Sequence, residues 1–406
     1  MRNVYIIDDY ASSKINGIGV YIKELIFCLR ETGMNVCLIE LGHDTKTFRI
    51  ETNDGIKCMQ FPVVSGSFDL YYRVIDKFFR LYILDAPENV FLFNHTPNDF
   101  FVKTVKSSFP LSKFIFVIHD MIWTGFMLGD KTEIEKQVTA ENREWFEKKY
   151  PVLFPFFSSE KCIYETVHRI VALAPETVEL LQSVYTISNQ KISLIPNGLQ
   201  DTHHAISEQE KVRLKTKMFI PFNEKIIVFV GRVENRKGIF QVVSSLKKAL
   251  KTYPDFHLVV IGTLFEVKKI MEYAGEIAAK ITFTGQISKE RLDEWYQIAD
   301  IGVLASYWEQ CSYTGIEMMM HGLPVVASDG FCVGDMFKDG VNAKVAPIGD
   351  RSHPEEFENN LSKAFLELLQ SSNQRRSLGE IGRKIYESHY HIHCMKEGYR
   401  LLLDSL

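Results

Sequence analysis

The sequence predicts an α/β protein made of two doubly wound domains that face each other across a cleft. Its 406 residues suit two domains that each bury their own core. Short apolar runs recur along the chain, and each is followed by a segment of helical periodicity. The runs fall into two groups separated by a polar segment. Since strands that alternate with helices pair in parallel, each group predicts one sheet covered by helices on both faces.

The apolar runs are rich in Val, Ile and Phe and lack alternation, which is typical of strands buried on both faces. The first group is VYIID (4–8), VCLIEL (36–41), VFLFNH (90–95), FIFVIHD (114–120), IVALA (170–174) and ISLIPN (192–197). The second group is IIVFVGR (226–232), HLVVIG (257–262), ITFTG (281–285), IGVLAS (301–306) and PVVAS (324–328).

The polar segment between the two groups places the domain boundary near residue 200. We therefore expect a first domain over 1–200, a second over 201–385, and a terminal helix over 386–406 that crosses back to the first. A ligand would bind in the cleft between the domains. Closure of that cleft would bend the chain near 197–205 and again near the terminal helix.

Composition narrows the class of protein. A hydrophobic content of 46% and a formal net charge of −4 are ordinary for a globular protein and give no overall attraction to nucleic acid. The seven cysteines include no CxxC pair, which favours a reducing compartment and hence the cytoplasm. No apolar run reaches the ~18 residues that span a membrane.

The segment 69–84 has two interpretations. Arg73, Lys77 and Arg80 would share one helical face, with apolar residues opposite. The segment is then either a core-facing helix with a solvated basic face or a helix that lies on the inner face of an anionic membrane.

Three short segments follow predicted strands and carry residues suited to a ligand. In FVGRVENRKG, Arg232 and Lys237 flank a loop that opens a helix, which suits a diphosphate or is a solvated turn. In INGIGVYIKEL, Gly17 and Gly19 allow a close ligand approach or form a plain strand-to-helix turn. The run FIFVIHD carries His119 at a strand end, where an imidazole can bind a ligand, although a lone histidine is more often structural.

The stretch EQCSYTGIEMMMHG predicts a short helix with Ser312 or Thr314 as N-cap and Gly322 as its stop. Glu317 then lies about one turn inside the helix, and Glu309 lies in the loop before it. The two acids bracket a helix N-terminus whose free N–H groups favour an anion. A carboxylate on each side of that anion could accept hydrogen bonds from hydroxyl groups attached to it. A nucleotide diphosphate sugar has such hydroxyl groups on both sides of its diphosphate. The alternative is two surface glutamates.

Together these segments resemble the glycosyltransferases of the GT-B fold, in particular the retaining glycosyltransferase family 4. The resemblance covers essentially the whole chain, is strongest over 226–330, and implies two Rossmann-like domains. Glu309 and Glu317 match the family's E-x7-E motif, and Gly231, Arg232, Lys237 and Gly238 match its G-R-x4-K-G segment. Gly17 and Gly19 match its glycine loop, and His119 matches its cleft histidine.

The resemblance implies a transferase that moves a sugar from a nucleotide diphosphate sugar to an acceptor with retention. The residues that would bind the donor are Gly17, Gly19, Gly231, Arg232, Lys237, Glu309, Cys311, Ser312, Tyr313 and Glu317. The residues that would act in catalysis are His119, Glu309, Arg232 and Lys237.

The resemblance also implies a role for each group. Arg232 and Lys237 would neutralise the leaving diphosphate, and Glu317 would bind the ribose hydroxyls. Glu309 and His119 would contact the transferred sugar. The backbone N–H groups of Cys311, Ser312 and Tyr313 would line the phosphate and sugar.

No metal or other cofactor is expected, because the sequence contains no D-x-D motif and two cations stand near the expected diphosphate. The family average favours UDP as the nucleotide. The acceptor would be a saccharide, a lipid-linked molecule or a peptide, bound by the first domain, with peripheral membrane contact as an option. The alternatives are another GT-B enzyme, such as a sugar phosphorylase or a nucleotide-sugar epimerase, and a sugar- or nucleotide-binding protein without catalysis.

Overall fold

The computed structural model describes residues 2–9, 17–64, 66–94, 98–138 and 143–406. The chain divides into two compact units, each with its own sheet. The first unit comprises Met1–Met127, Lys131–Gly198 and Ile392–Leu406, and the second comprises Leu128–Asp130 and Leu199–His391. The last helix of the chain therefore belongs to the first unit.

The first unit contains one eight-stranded sheet. Its strands are β1 (Asn3–Asp8), β2 (Asn35–His43), β3 (Arg49–Asn53), β4 (Ile56–Pro62), β5 (Asn89–Asn94), β6 (Lys113–Val117), β7 (Arg169–Ala172) and β8 (Ile192–Leu194). They lie in the order β3-β4-β2-β1-β5-β6-β7-β8, and only β3 runs antiparallel to its neighbour. The first strand, β1, lies in the middle of the sheet. Strands β2 to β4 lie on one side of it, and strands β5 to β8 lie on the other. That is the doubly wound order, so the predicted fold class is confirmed for this unit.

Helices flank this sheet. They are α1 (Gly17–Glu31), α2 (Phe68–Tyr82), α3 (Asp99–Ser108), α4 (Ile122–Met127), α5 (Lys131–Gln137), α6 (Arg143–Lys149), α7 (Leu153–Thr166) and α8 (Pro175–Ser183), with α17 (Ile392–Asp404) at the end of the chain. The hydroxyl groups of Tyr21 on α1 and Tyr399 on α17 are hydrogen bonded in the buried interior. This bond fixes the terminal helix within the first unit.

Two strands of the first unit lie outside the predicted apolar runs. β3 and β4 form a hairpin around Asp54 and Gly55, which both have positive φ angles, of 50° and 76°. Asp-Gly is the usual pair for such a turn, because both central residues must adopt positive φ. The sequence therefore predicts the turn. A search for apolar runs does not find β3, because the strand is mostly polar and its side chains are mostly exposed.

The second unit contains a six-stranded parallel sheet. Its strands are β9 (Lys225–Val230), β10 (Phe256–Ile261), β11 (Ile281–Gly285), β12 (Ile301–Leu304), β13 (Val325–Ser328) and β14 (Ala343–Ala346). The order β11-β10-β9-β12-β13-β14 reverses direction between β9 and β12. This is the strand order of a Rossmann domain, so the predicted class is confirmed here too. The five predicted runs are strands, and β14 is an addition that its short, half-buried sequence does not reveal.

The helices of the second unit are α9 (Glu208–Lys217), α10 (Ile239–Leu250), α11 (Val267–Ala274), α12 (Lys289–Ile298), α13 (Tyr313–Met320), α14 (Val333–Met336), α15 (Pro354–Gln370) and α16 (Ser372–Ile385). Ligands in open α/β sheets bind at the carboxyl ends of the strands where the strand order reverses. In this unit that point lies beyond Val230 and Leu304, the last residues of β9 and β12. Among the described helices of the chain, none combines the length and apolarity needed to cross a membrane.

Candidate functional site

The loop after β9 is held close to the end of β12. It runs from Gly231 through a 3-10 turn at Asn235–Lys237 to Gly238, where α10 begins. Gly238 has a φ of 72°, and a Cβ atom there would lie 2.2 Å from the carbonyl oxygen of Ala305. Only glycine satisfies both the left-handed conformation and the close approach. The neighbouring Lys237 is thereby placed at the point where the strand order reverses.

Lys237 and Glu309 form an ion pair at this point. The Lys237 Nζ atom lies 2.6 Å from Glu309 Oε1, and the Ser306 hydroxyl donates to the same oxygen at 2.7 Å. The side chains of Lys237 and Glu309 are 21% and 14% exposed, so the pair is largely shielded from solvent. The backbone N–H of Glu309 donates to the Phe331 carbonyl oxygen at 2.9 Å, which fixes the loop. The structure thus brings together two predicted site residues that are far apart in sequence.

Arg232 and Arg236 surround a second carboxylate in the same loop. The Arg232 Nε atom lies 3.3 Å from Glu234 Oε1, and Arg236 contacts the same oxygen. The Arg236 guanidinium also lies over the Trp308 ring, 5.5 Å from its centroid, which is close enough for a cation–π contact. Burial raises the pKa of Glu234, and the positive charges of Arg232 and Lys237 oppose that shift. Arg232 is about half exposed and so remains accessible to a ligand.

Helix α13 begins where the sequence predicts. Ser312 is its N-cap, and the Ser312 hydroxyl accepts a hydrogen bond from the Gly315 N–H at 3.3 Å. Gly322, with a φ of 62°, follows its C-terminus. At the start of this helix, Cys311 and Ser312 are buried and Tyr313 is partly buried. The Ser312 N–H lies 3.3 Å from the Met336 sulfur, a weak acceptor.

Glu317 lies on α13, and its carboxylate contacts the neighbouring helix α12. The Tyr296 hydroxyl donates to Glu317 Oε2 at 2.9 Å. Burial raises the pKa of Glu317 to about 7, while the Tyr296 hydrogen bond and the positive charge of Lys289 act in the opposite direction. The carboxyl group therefore changes charge near neutral pH.

In the first unit, His119 lies two residues beyond β6, beside the end of β5. Asn94 ends β5, and its Oδ1 atom lies 3.1 Å from His119 Nε2. The Asn94 side-chain amide donates to the Ile7 carbonyl oxygen at 3.3 Å, so its Oδ1 atom faces the imidazole and Nε2 is the donor. The Tyr21 ring meets the imidazole edge-on at 4.5 Å. His119 is thereby oriented at the carboxyl edge of the sheet, and its predicted role in ligand binding stays a prediction.

The segment that follows His119 is fixed by two carboxylates. Asp120 accepts hydrogen bonds from the Met121 N–H at 2.8 Å and the Thr124 hydroxyl at 3.0 Å. Glu160, which is 1% exposed, accepts from the Ile122 N–H at 2.8 Å and the Tyr185 hydroxyl at 2.5 Å. These bonds position α4 directly after His119.

The expectation for the glycine loop is corrected in one respect. Gly17 and Gly19 lie in the first turn of α1, not in a turn that precedes the helix. The residues that would form that turn, 10–16, lie outside the described residues. The two glycines therefore stand at a helix N-terminus, where exposed N–H groups can bind an anion.

Sequence reasoning missed several residues of the candidate site. Tyr296 comes from α12, Glu234 from the loop after β9, and Ser306 from the segment two residues beyond β12. Ser306 is the last residue of the predicted run IGVLAS, so its place near a strand end is readable from the sequence. No local signal marks Tyr296 as a partner of Glu317, because the contact depends on how α12 packs beside α13.

Two units of this topology, each with polar residues at the carboxyl edge of its sheet, define a two-domain protein of the GT-B fold. Whole-chain similarity to solved structures supports this class. Sucrose-phosphate synthase from Thermosynechococcus elongatus aligns with a TM-score of 0.75 and 17% identity over 100% of both chains. The HepE protein of Anabaena, solved in complex with UDP and glucose, aligns with a TM-score of 0.73 and 13% identity over 100% of both chains.

A family model matches most of the second unit. Residues 211–385, somewhat less than half of the chain, match the model of the glycosyl transferases group 1. An uncharacterized glycosyltransferase of Methanocaldococcus jannaschii is 26% identical over 179 residues. That alignment covers 43% of this chain and 45% of the relative, so the chain spans about half the length of that curated relative.

Proposed function

We propose that the protein is a retaining glycosyltransferase that moves a sugar from a nucleotide diphosphate sugar to a saccharide, lipid-linked or peptide acceptor. The observation that carries the proposal is the Lys237–Glu309 ion pair at the strand-order reversal of the second unit. A cation and a carboxylate meet there, followed three residues later by the N-cap of α13. The cation suits a phosphate, and the carboxylate suits the hydroxyl groups of a sugar.

The charges of this loop would act on the leaving group. When the bond between the sugar C1 atom and the diphosphate oxygen breaks, negative charge grows on the diphosphate. Lys237 and Arg232 would stabilise that charge, and preorganised charges of this kind usually supply the largest catalytic effect. We assign this role to side chains and not to a metal ion, because the chain lacks a D-x-D motif.

Retention would follow from substitution on the same face of the sugar. The acceptor oxygen would bond to C1 on the face that the diphosphate leaves, and the acceptor proton would pass to a diphosphate oxygen. His119, oriented by Asn94 and Tyr21, would hydrogen-bond the transferred sugar near C1. Glu317 would accept the ribose hydroxyls, and UDP is the proposed nucleotide. The HepE structures with UDP and with UDP-glucose support that choice.

The proposed reaction is tested by donor turnover. Incubation with a panel of UDP-, GDP- and ADP-sugars should release nucleoside diphosphate with at least one donor. His119→Ala and Glu309→Ala are expected to lower this release by about a hundredfold or more, since each removes a contact to the reacting sugar. His353→Ala is the matched control, because His353 is an exposed histidine of the second unit. Absence of turnover with every donor, or wild-type rates in both variants, would contradict the proposal.

We further propose that α2 touches an anionic membrane when the acceptor is lipid-linked. Its exposed face carries Leu70, Val74 and Leu81, interleaved with the cations Arg73 and Lys77. Leu84, just beyond the helix, is 87% exposed. An amphipathic surface with this composition suits anionic lipid headgroups.

Vesicle sedimentation tests the membrane contact. Leu81→Ser/Leu84→Ser should weaken binding to phosphatidylglycerol vesicles by about tenfold, because two exposed leucines lose the apolar surface they would bury. Leu111→Ser is the control, since Leu111 is an exposed leucine of the same unit outside α2. Equal sedimentation of the double variant and the wild type, or no binding by either, would refute the membrane contact and leave the transfer reaction untouched.

A further inference from the structure

A cluster of polar side chains lies behind the Glu317 carboxylate in the second unit. Tyr296 on α12 connects the carboxylate to this cluster. Its hydroxyl donates to Glu317 Oε2 at 2.9 Å, and its ring stacks on the His321 imidazole with centroids 5.1 Å apart and planes 29° apart. One side chain therefore contacts both the carboxylate and a buried histidine.

His321 is held from two sides. Its side chain is 1% exposed, and its Nε2 atom lies 3.3 Å from Asp293 Oδ1 on α12. Its Nδ1 atom lies 3.2 Å from His203 Nδ1, so one of the two rings donates to the other. The His203 ring also meets His321 edge-on at 5.1 Å. The imidazole, buried beside these groups, gives the Tyr296 ring a surface to stack on.

The segment that carries His203 is itself anchored. The His203 N–H donates to Asp201 Oδ1 at 2.9 Å, and Asp201 pairs with Arg383 on α16. Arg383 also donates to the Met320 carbonyl oxygen at 2.6 Å, at the end of α13. Contacts thus run from Glu317 through Tyr296, His321 and His203 to Arg383 and back to α13.

Among the described residues, several elements contribute charged and titratable groups to the surroundings of Glu317. On α12 they are Lys289, Asp293 and Tyr296; His321 follows α13, His203 lies in the segment before α9, and Arg383 lies on α16. Burial and the negative charge of Asp293 raise the pKa of Glu317, whereas the Tyr296 hydrogen bond and Lys289 lower it. Tyr296 is the group among these that bonds to the carboxylate directly.

We infer that Tyr296 is a positioning residue that aims the Glu317 carboxylate at the nucleotide ribose, and that His321 holds Tyr296 in place. The inference rests on the proposed function, because the ribose contact belongs to it. Glu317 accepts ribose hydroxyls more strongly when it is ionised, and the Tyr296 hydrogen bond favours the ionised form.

Nucleotide affinity should consequently depend on pH. Glu317 has a pKa raised to about 7, so its carboxylate is largely protonated at pH 6 and largely ionised at pH 8. Affinity is expected to increase by about tenfold over this range, the effect of one charged hydrogen bond. Tyr296→Phe removes a donor to the ionised form, so the midpoint should move about one unit to higher pH.

The test is calorimetric titration with UDP, GDP and ADP between pH 5.5 and 8.5. Tyr296→Phe should shift the midpoint of the pH profile, and His321→Ala should shift it in the same direction by releasing the Tyr296 ring. Tyr273→Phe is the matched control, because Tyr273 donates to Glu358 at 3.3 Å on the exposed side of the same unit. A Tyr296→Phe profile that superimposes on the wild type would overturn the inference.

A second readout separates this inference from the proposed function. If none of the three nucleotides binds the wild type, the proposed function fails. The Glu317 titration is then followed directly by infrared spectroscopy of protein with 13C-labelled glutamate, with Glu317→Gln identifying the band. A band that titrates at the same pH in wild type, Tyr296→Phe and His321→Ala would overturn the positioning role. If the Tyr296→Phe variant does not fold, the His321→Ala variant alone tests the positioning role.

Discussion

Replacement of Lys237 by methionine is expected to lower the turnover rate by about a thousandfold. Methionine keeps the length of the side chain but removes the charge that would stabilise the leaving diphosphate, and loss of one such group typically costs two to three orders of magnitude. The same change leaves Glu309, which is 14% exposed, without its cation. Removing one partner of this partly shielded pair should also lower the free energy of unfolding, by about 1–2 kcal/mol. Initial rates of nucleoside diphosphate release and urea denaturation measure the two effects.

Two further variants separate catalysis from stability. Lys247→Met replaces a lysine of the following helix α10, whose Nζ atom donates to the Tyr273 carbonyl oxygen, and should leave the rate unchanged. In Lys237→Met/Glu309→Gln the orphaned charge is removed, so stability should recover in part while turnover stays low. A Lys237→Met rate within about threefold of the wild type would contradict the role of Lys237.

Glu160→Gln is expected to change how the stability of the first unit depends on pH. Burial raises the pKa of Glu160 from 4.5 to about 7, with the negative charge of Asp120 adding to the shift and the bonds from Tyr185 and Ile122 opposing it. The folded state therefore binds the proton more tightly than the unfolded state. The resulting stability is fully present below pH 4.5 and is lost as the pH rises to about 7. A shift of this size corresponds to about 3 kcal/mol.

Urea denaturation at several pH values measures this effect. From pH 4.5 to pH 8, the unfolding free energy of the wild type should fall relative to that of Glu160→Gln by about 3 kcal/mol, since glutamine does not titrate. Glu165→Gln is the control, because Glu165 is an exposed glutamate of the same helix α7. Parallel curves for wild type and Glu160→Gln would contradict this expectation, because they would show that the pKa of Glu160 is the same in the folded and unfolded states.

The fold is largely predictable because its signals are local. Apolar runs without alternation mark the buried parallel strands, and Ser312 and Gly322 mark both ends of α13. A search for apolar runs does not find β3, because four of its five residues are polar, even though Asp54 and Gly55 suit the hairpin turn. β14 escapes because it is four residues long and contains Lys344.

The candidate site is predictable in composition but not in its contacts. The order of motifs places Lys237 and Glu309 after strands, whereas their ion pair depends on β9 and β12 lying side by side. The order of strands depends on the whole sheet, and neither segment alone contains a sequence pattern that predicts it. The Tyr296–Glu317 hydrogen bond escapes for the same reason, because it depends on the packing of α12 against α13.

A crystal structure of the protein with UDP bound would test the central claim most directly. The proposal predicts that diphosphate oxygens lie about 2.7–3.2 Å from Lys237 Nζ and the Arg232 guanidinium, and that the ribose hydroxyls lie within the same range of the Glu317 carboxylate. A nucleotide bound elsewhere on the protein, with the Lys237–Glu309 ion pair unchanged and Arg232 and Glu317 untouched, would contradict it.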